Sequence, residues 1–245
     1  KLDIPAVSGL IYTPLFIIPT TMGVIPGYYN SAYGVTVNVT PAKSWYLSLG
    51  GYDGAQAEGV QTGTETWPSF DDGYFYIAET GAGWLLSDNA YPGNIGIGGW
   101  KQTGSITNES LNLSEDGALG TYLFGTQRVW YRSPGVDSSG VSLFYQYGIS
   151  NSDVLSITQY VGAGLTAFGL VPNRINDSFG VGTAYSWLNQ AIYDRETELM
   201  FQAYYQAQIV DTVYLEPVLS FIPTPGADAS LPAAWTATLR LIVLF

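Results

Sequence analysis

The sequence predicts an all-β protein, an antiparallel transmembrane β-barrel with about eleven strands in this chain. The first observation is that apolar and polar residues alternate over segments of roughly ten residues, separated by Gly, Pro, Asn and Asp. Second, only 11% of the 245 residues are charged, against roughly 25% in ordinary soluble proteins. Third, aromatic residues reach 15% and many lie near predicted strand ends, where a membrane-interface girdle would be. No apolar run reaches the ~18 residues of a membrane helix.

The predicted strands follow one another without a helical period between them. They are Ala32–Thr40, Trp45–Tyr52, Gly73–Trp84, Asn94–Gln102, Gly120–Arg132, Gly140–Ser150, Val154–Gly169, Ser178–Trp187, Glu196–Ile209, Val213–Ile222 and Trp235–Phe245. The alternation is clearest in the ninth, which carries Glu198 and Gln202 opposite Phe201. A soluble or secreted β-sandwich would bury the apolar face, whereas a barrel turns it toward lipid. Most segments exceed the five or six residues of typical soluble strands, which favours the barrel.

The connections differ between the two ends of the predicted sheet. With the C-terminus at the periplasmic side, one end receives mostly short turns and the other mostly long loops, as in outer-membrane barrels. The short set is 41–44, 85–93, 133–139, 170–177 and 210–212. The long set is 53–72, 103–119, 188–195, 223–234 and the opening segment, with the brief 151–153 as an exception. Carboxylates cluster in 53–72 and 103–119 without EF-hand spacing, which predicts a solvated acidic rim that attracts small cations.

The opening segment, residues 1–31, is apolar but carries Pro5, Pro14, Pro19 and Pro26. Proline cannot donate a ladder hydrogen bond, so this segment is predicted to be a loop folded into the channel rather than a pair of strands. Residues 32–245 are then a single domain of barrel strands.

Charge and composition exclude several functions. The net charge is −12, with no Cys and no His, which argues against nucleic-acid partners, the usual zinc sites and His-assisted nucleophilic catalysis. Glu196 and Glu198 are neighbours on one strand face and would not straddle a sugar as a glycosidase pair must. We therefore expect no catalytic residue, no metal and no cofactor, and a protein that is not an enzyme.

Polar residues on the predicted inner face are candidates for a solute path. Arginine donates hydrogen bonds to hydroxyls, and tryptophan stacks on the C–H face of a sugar ring. The candidates are Arg128, Trp130, Arg132, Gln146, Glu198, Gln202 and Arg240. The alternative is a solvated wall in which arginines pair with glutamates, and this is favoured for Arg240, with Glu198 or Glu216 as its partner.

Short motifs in a fixed order, spread over about 210 residues of the chain, resemble the C-terminal two thirds of the carbohydrate-selective porin family. They are Tyr33-Gly34-Val35, Leu47 to Gly54, Ile97-Gly-Gly-Trp100, Gly169-Leu-Val-Pro-Asn-Arg174 with Asp177 and Gly180, Glu198 to Gln208, Leu215-Glu-Pro-Val218, Pro223/Pro225-Gly226 and Leu239 to Phe245. The last strand, ending in Phe245, also resembles the terminal strand of Gram-negative outer-membrane proteins. Val218-Leu219-Ser220 departs from the polar residues usual in the family.

The resemblance implies passive diffusion of sugars or other small solutes through the Gram-negative outer membrane. Its partners would be lipid, lipopolysaccharide and small sugars. It also implies a sixteen-stranded barrel with a constriction loop after the fifth strand. The eleven strands would then be the larger part, with N-terminal strands missing, cleaved or supplied by another chain, and 1–31 would be most of the constriction loop. An N-terminal fragment and a homo-oligomer both remain open as partners. The alternative function is a soluble or secreted β-sandwich carbohydrate-binding module.

Overall fold

The computed structural model describes residue 20 and residues 32–54, 67, 70–71, 73–87, 91–108, 112–226 and 228–244. The strands are β1 Gly34–Ala42, β2 Trp45–Asp53, β3 Tyr74–Leu86, β4 Tyr91–Asn108, β5 Leu113–Tyr131, β6 Gly140–Ser150, β7 Ile157–Phe168, β8 Ser178–Leu188, β9 Thr197–Val210, β10 Val213–Ile222 and β11 Ala234–Val243. Among these residues no helix has the length and apolar content needed to cross a membrane. Apart from residue 20, the predicted inward loop 1–31 lies outside the described residues.

The eleven strands form one sheet in which each strand pairs antiparallel with the next along the chain, in the order β1 to β11. The predicted all-β fold and strand number are confirmed, and the bounds of β6 and β10 are as predicted. An uninterrupted meander with no crossover is the connectivity of an up-and-down barrel wall.

The two faces of this sheet differ in chemistry. The outer face carries exposed large apolar side chains on every strand, among them Val37, Leu49, Tyr76, Ile97, Leu119, Leu143, Val161, Val181, Phe201, Leu219 and Leu241. The inner face, on the alternate positions, is largely buried and mixes polar, aromatic and Gly residues. A sandwich would cover the apolar face with a second sheet, yet the described residues form a single sheet. The outer face is therefore the lipid-facing surface of a membrane barrel.

Aromatic side chains lie near both rims of this outer face. Trp45 lies near the end with the short turns, where its indole donates to Thr80 at 2.7 Å. At the other end, the rings of Phe221 and Trp235 stack with centroids 4.4 Å apart. Amphipathic rings at the two headgroup levels are expected of a membrane barrel.

The prediction that residues 103–119 form a loop is wrong. Beyond a bulge after Gln102, residues 105–108 pair with residues 113–116, so β4 and β5 continue as a long hairpin. Ile106 is only 2% exposed and belongs to the same buried cluster as Val154 and Leu155. Those two residues lie in the connection 151–156 rather than in a strand, so the predicted start of β7 at Val154 is wrong as well. The polar content of 103–119 concealed the strands, because the buried cluster that includes Ile106 is completed by residues of a distant loop.

Candidate solute path on the inner face

The strand registers bring a set of polar side chains onto the inner face. Its members on the central and C-terminal strands are Glu79, Arg128, Gln146, Glu198, Gln202, Gln206, Glu216 and Arg240. They face the side where barrels place water. Their hydrogen-bond partners show which of these side chains are bonded within the wall and which keep an unbonded polar atom.

Arg240 forms a structural pair with Glu216, one of the two partners that the sequence predicted for it. Their Cα atoms are register partners on β11 and β10, and the guanidinium donates to Glu216 Oε1. Gln206 donates to Glu216 Oε2 at 2.8 Å, so both oxygens of this fully buried carboxylate are bonded. Glu198 instead accepts from the backbone N–H of Gly226 at 2.7 Å, which anchors the connection 223–233. Glu216 therefore has no free carboxylate oxygen to offer to a solute.

Gln146 and Gln202 connect neighbouring strands. Gln146 Nε2 donates to the Tyr160 hydroxyl at 3.0 Å, and Gln202 Nε2 donates to Ser220 Oγ at 2.8 Å. The Oε1 atoms of both amides are buried and, within the described part of the chain, have no donor. Gln146 and Gln202 therefore lie on the inner face, where their amides mainly bond neighbouring strands to each other.

A bulge in β5 separates Arg128 from Trp130. Arg128 pairs with Ser142, whereas Trp130 pairs with Val141, so one residue of β5 is left over between them. Adjacent residues of β6 point to opposite faces, and Trp130 accordingly lies on the outer face, 47% exposed. The prediction that Trp130 shares the inner face with Arg128 is wrong, because strict alternation does not allow for a bulge.

Arg132 lies beyond the end of β5, in the connection 132–139. Its backbone N–H donates to Ser139 O at 2.9 Å. It is exposed at the short-turn end, so strand alternation does not place its side chain on the wall. Of the predicted residues Arg128, Trp130 and Arg132, Arg128 alone therefore faces inward from within a strand.

The inner-face aromatics are packing elements rather than sugar platforms. Tyr122 is 1% exposed and lies against Gly98 on the next strand, where an added Cβ would be 2.3 Å from its ring. Trp100 covers Gly120 in the same way. Ring faces that cover glycines in the wall are not available to stack on a sugar.

Glu79 was missed by the sequence reasoning. It is buried on β3 and accepts from the hydroxyls of Tyr46 and Tyr122, each at 2.8 Å. A lone carboxylate in a strand of aromatic and small residues is the signal that could have identified it, because a buried carboxylate requires partners.

The motif of Arg174 and Asp177 forms a latch at the short-turn end. Asp177 accepts from Arg174, from the Tyr205 hydroxyl and, at 2.9 Å, from the Gln208 backbone N–H. Arg174 also donates to Gln208 O at 2.9 Å. Burial alone would raise the pKa of Asp177, but the hydrogen bonds from Arg174, Tyr205 and Gln208 hold that pKa below its ordinary value. The latch fastens the connection 169–177 to β9.

We expect Asp177→Asn to remove a pH-dependent part of the stability. Because the folded state lowers this pKa, the carboxylate stabilises the fold above the ordinary Asp range, and the contribution is lost as pH falls through the lowered pKa. At neutral pH the variant should lose about 1–3 kcal/mol, with a smaller difference in acid. Denaturant titrations in lipid at several pH values measure this. Asp211→Asn, in the exposed connection 211–212, is the control; an Asp177→Asn loss that is the same at every pH would contradict the assignment.

The loops of the long-loop end are tied together by hydrogen bonds. Glu115 Oε2 accepts from the Asp153 N–H at 2.8 Å, and Asn189 Nδ2 donates to Asp153 O at 2.6 Å. Arg195 Nη2 continues the series by donating to Ala229 O at 2.6 Å. These bonds join β5 to the connections 151–156, 189–196 and 223–233, so this rim is an interlinked unit rather than a set of separate loops.

An uninterrupted antiparallel meander with an apolar outer face and a polar, aromatic inner face defines the wall of a porin-type transmembrane β-barrel. The chain belongs to the carbohydrate-selective porin, OprB family, whose model matches residues 14–245. Membership confirms the family indicated by the sequence motifs and makes this a Gram-negative outer-membrane protein of a channel family.

Two solved structures have the same fold. The chain is 18% identical to Pseudomonas putida OprB in its high-pH structure, with a TM-score of 0.77 over 91% of this chain and 61% of that one. It is 16% identical in the low-pH structure, with a TM-score of 0.60 over 86% of this chain and 55% of that one. The chain thus spans less than two thirds of the length of these structures. None of the curated proteins matches the chain.

Proposed function

We propose that the protein is an outer-membrane channel through which sugars or other small solutes diffuse passively. The observation that carries this proposal is the contrast between the faces: a wall apolar toward lipid and lined inside by amide, hydroxyl and carboxylate groups. A wall that is polar inside and apolar outside separates a water-filled path from lipid, as a channel requires. Among the described residues there is no group of three or more His, Asp or Glu that could hold a metal ion. Diffusion down a gradient requires no catalytic group.

The alternative, a soluble carbohydrate-binding module, has less support. Such a module would display its aromatics on one exposed patch beside a covered core. Here exposed aromatics such as Trp45 and Trp235 lie on the outer face near the two rims, and the inner-face rings of Tyr122 and Phe144 are buried. Contacts with lipid and lipopolysaccharide on the outer face follow from the barrel, and we propose these as the partners.

We also propose that further strands pair with the free edges of β1 and β11. In the described residues each of these strands has a partner on one side only. In lipid an unpaired backbone group costs several kcal/mol, so neither edge is stable without a partner. A sixteen-stranded ring with 1–31 as its inward loop is the arrangement we favour, with the extra strands from a longer polypeptide, a cleaved fragment or a second copy.

Swelling of liposomes that contain the complete native protein tests the channel. We expect rapid swelling in glucose, slower swelling in a disaccharide and none in a large oligosaccharide, because a closed lumen imposes a size limit. Protein-free liposomes are the control. Absence of glucose entry with correctly folded protein would refute the channel, and passage of large oligosaccharides would refute a closed barrel.

A further inference from the structure

The charge of Arg128 is not compensated within the described residues. The other inner-face arginine, Arg240, pairs with Glu216. Arg128 has no carboxylate partner there, and its Nε and Nη1 atoms are buried without a hydrogen-bond acceptor. Arginine stays protonated in proteins, so the positive charge persists.

Aromatic rings hold the guanidinium in place. Its Cζ lies 4.8 Å from the Tyr131 ring centroid and 5.5 Å from that of Phe168. The β5 bulge places Tyr131 on the same face as Arg128, because Tyr131 pairs with Gly140. A Cβ at Gly140 would lie 3.1 Å from Arg128 Nη1, so glycine leaves room for the head group. The rings fix its position but provide no acceptor oxygen for its N–H groups.

We propose that Arg128 is an anion-recognition residue on the inner wall and that the channel admits sugar acids, solutes carrying a carboxylate, in addition to neutral sugars. The inference rests on the proposed channel function. A guanidinium charge that no carboxylate of the described wall neutralises attracts the carboxylate of a passing solute. A neutral sugar gains nothing from this charge. The positive charge also counteracts the repulsion that an otherwise acidic protein exerts on anions.

Replacing Arg128 by glutamine tests this, with gluconate as the charged probe and glucose as the neutral one. Liposome swelling by wild-type protein should give a measurable gluconate-to-glucose rate ratio. A unit charge about 8 Å from a passing anion changes its local concentration roughly two- to threefold, so Arg128→Gln should lower the gluconate-to-glucose ratio by that factor. Lys101→Gln is the matched control, because it removes the same charge from an exposed outer-face position. Arg128→Lys retains the charge and should preserve the ratio.

Each outcome decides the matter. A lowered ratio in Arg128→Gln alone supports the inference. An equal drop in Lys101→Gln would mean that net charge matters rather than this residue, and would overturn it. A different result would be KCl reversal potentials showing that Arg128→Gln lowers chloride permeability while its gluconate-to-glucose ratio is unchanged. Arg128 would then act on small inorganic anions only, and the sugar-acid assignment would be overturned. Normal glucose entry with no gluconate entry in wild type overturns the inference but leaves the channel intact, whereas no entry of either solute refutes the channel itself.

Discussion

Replacement of Glu216 by leucine is expected to lower the free energy of unfolding by about 3–5 kcal/mol. Glu216 is 0% exposed and accepts from Arg240 and Gln206. Without the carboxylate, the guanidinium loses the group that neutralises it in the wall, and the Gln206 amide loses an acceptor. Guanidinium titration of the protein in lipid vesicles, followed by tryptophan fluorescence, measures the loss.

The double variant Glu216→Leu with Arg240→Leu is the matched control. Removing both charges leaves no buried ion without a partner, so we expect recovery of most of the lost stability. If the double variant were as unstable as Glu216→Leu alone, loss of packing at this position would explain the effect, and the ion-pair account would be wrong.

Replacement of Gly98 by valine is expected to cost about 2–4 kcal/mol, since it combines overpacking with a broken hydrogen bond. The new Cβ would lie 2.3 Å from Cζ of Tyr122. That ring cannot shift freely, because it is buried and its hydroxyl donates to Glu79 at 2.8 Å. The same unfolding measurement in lipid reports the loss.

The adjacent Gly99 supplies the control for that experiment. It faces outward, and a Cβ there would have its nearest neighbour, Gly120 O, at 3.4 Å. Gly99→Val should therefore change stability by less than about 1 kcal/mol. Equal losses at both positions would show that backbone effects dominate and that the ring over Gly98 is not the reason for the glycine.

The fold was predictable because its main determinant is local. Lipid on one side and a polar interior on the other impose a period of two on every strand, so β6 and β10 were bounded correctly from the sequence. A pairing of Arg240 with a glutamate was also foreseen, but the choice between Glu198 and Glu216 was decided by the register of β10 and β11. The hairpin over 103–119 was not predicted, because its buried side chains contact residues 151–156, which local pattern does not reveal.

The sequence by itself therefore determined the class of wall, the eleven strands of the described residues, the apolar outer face and the family. Tertiary structure decided which inner-face groups are already bonded. Glu79, Gln146 and Gln202 have cross-strand partners set by register, and register is a non-local property. The bulge between Arg128 and Trp130 places Tyr131 on the inner face beside Arg128, where the sequence predicted Trp130. One extra residue reverses the facing of every residue that follows it in the strand.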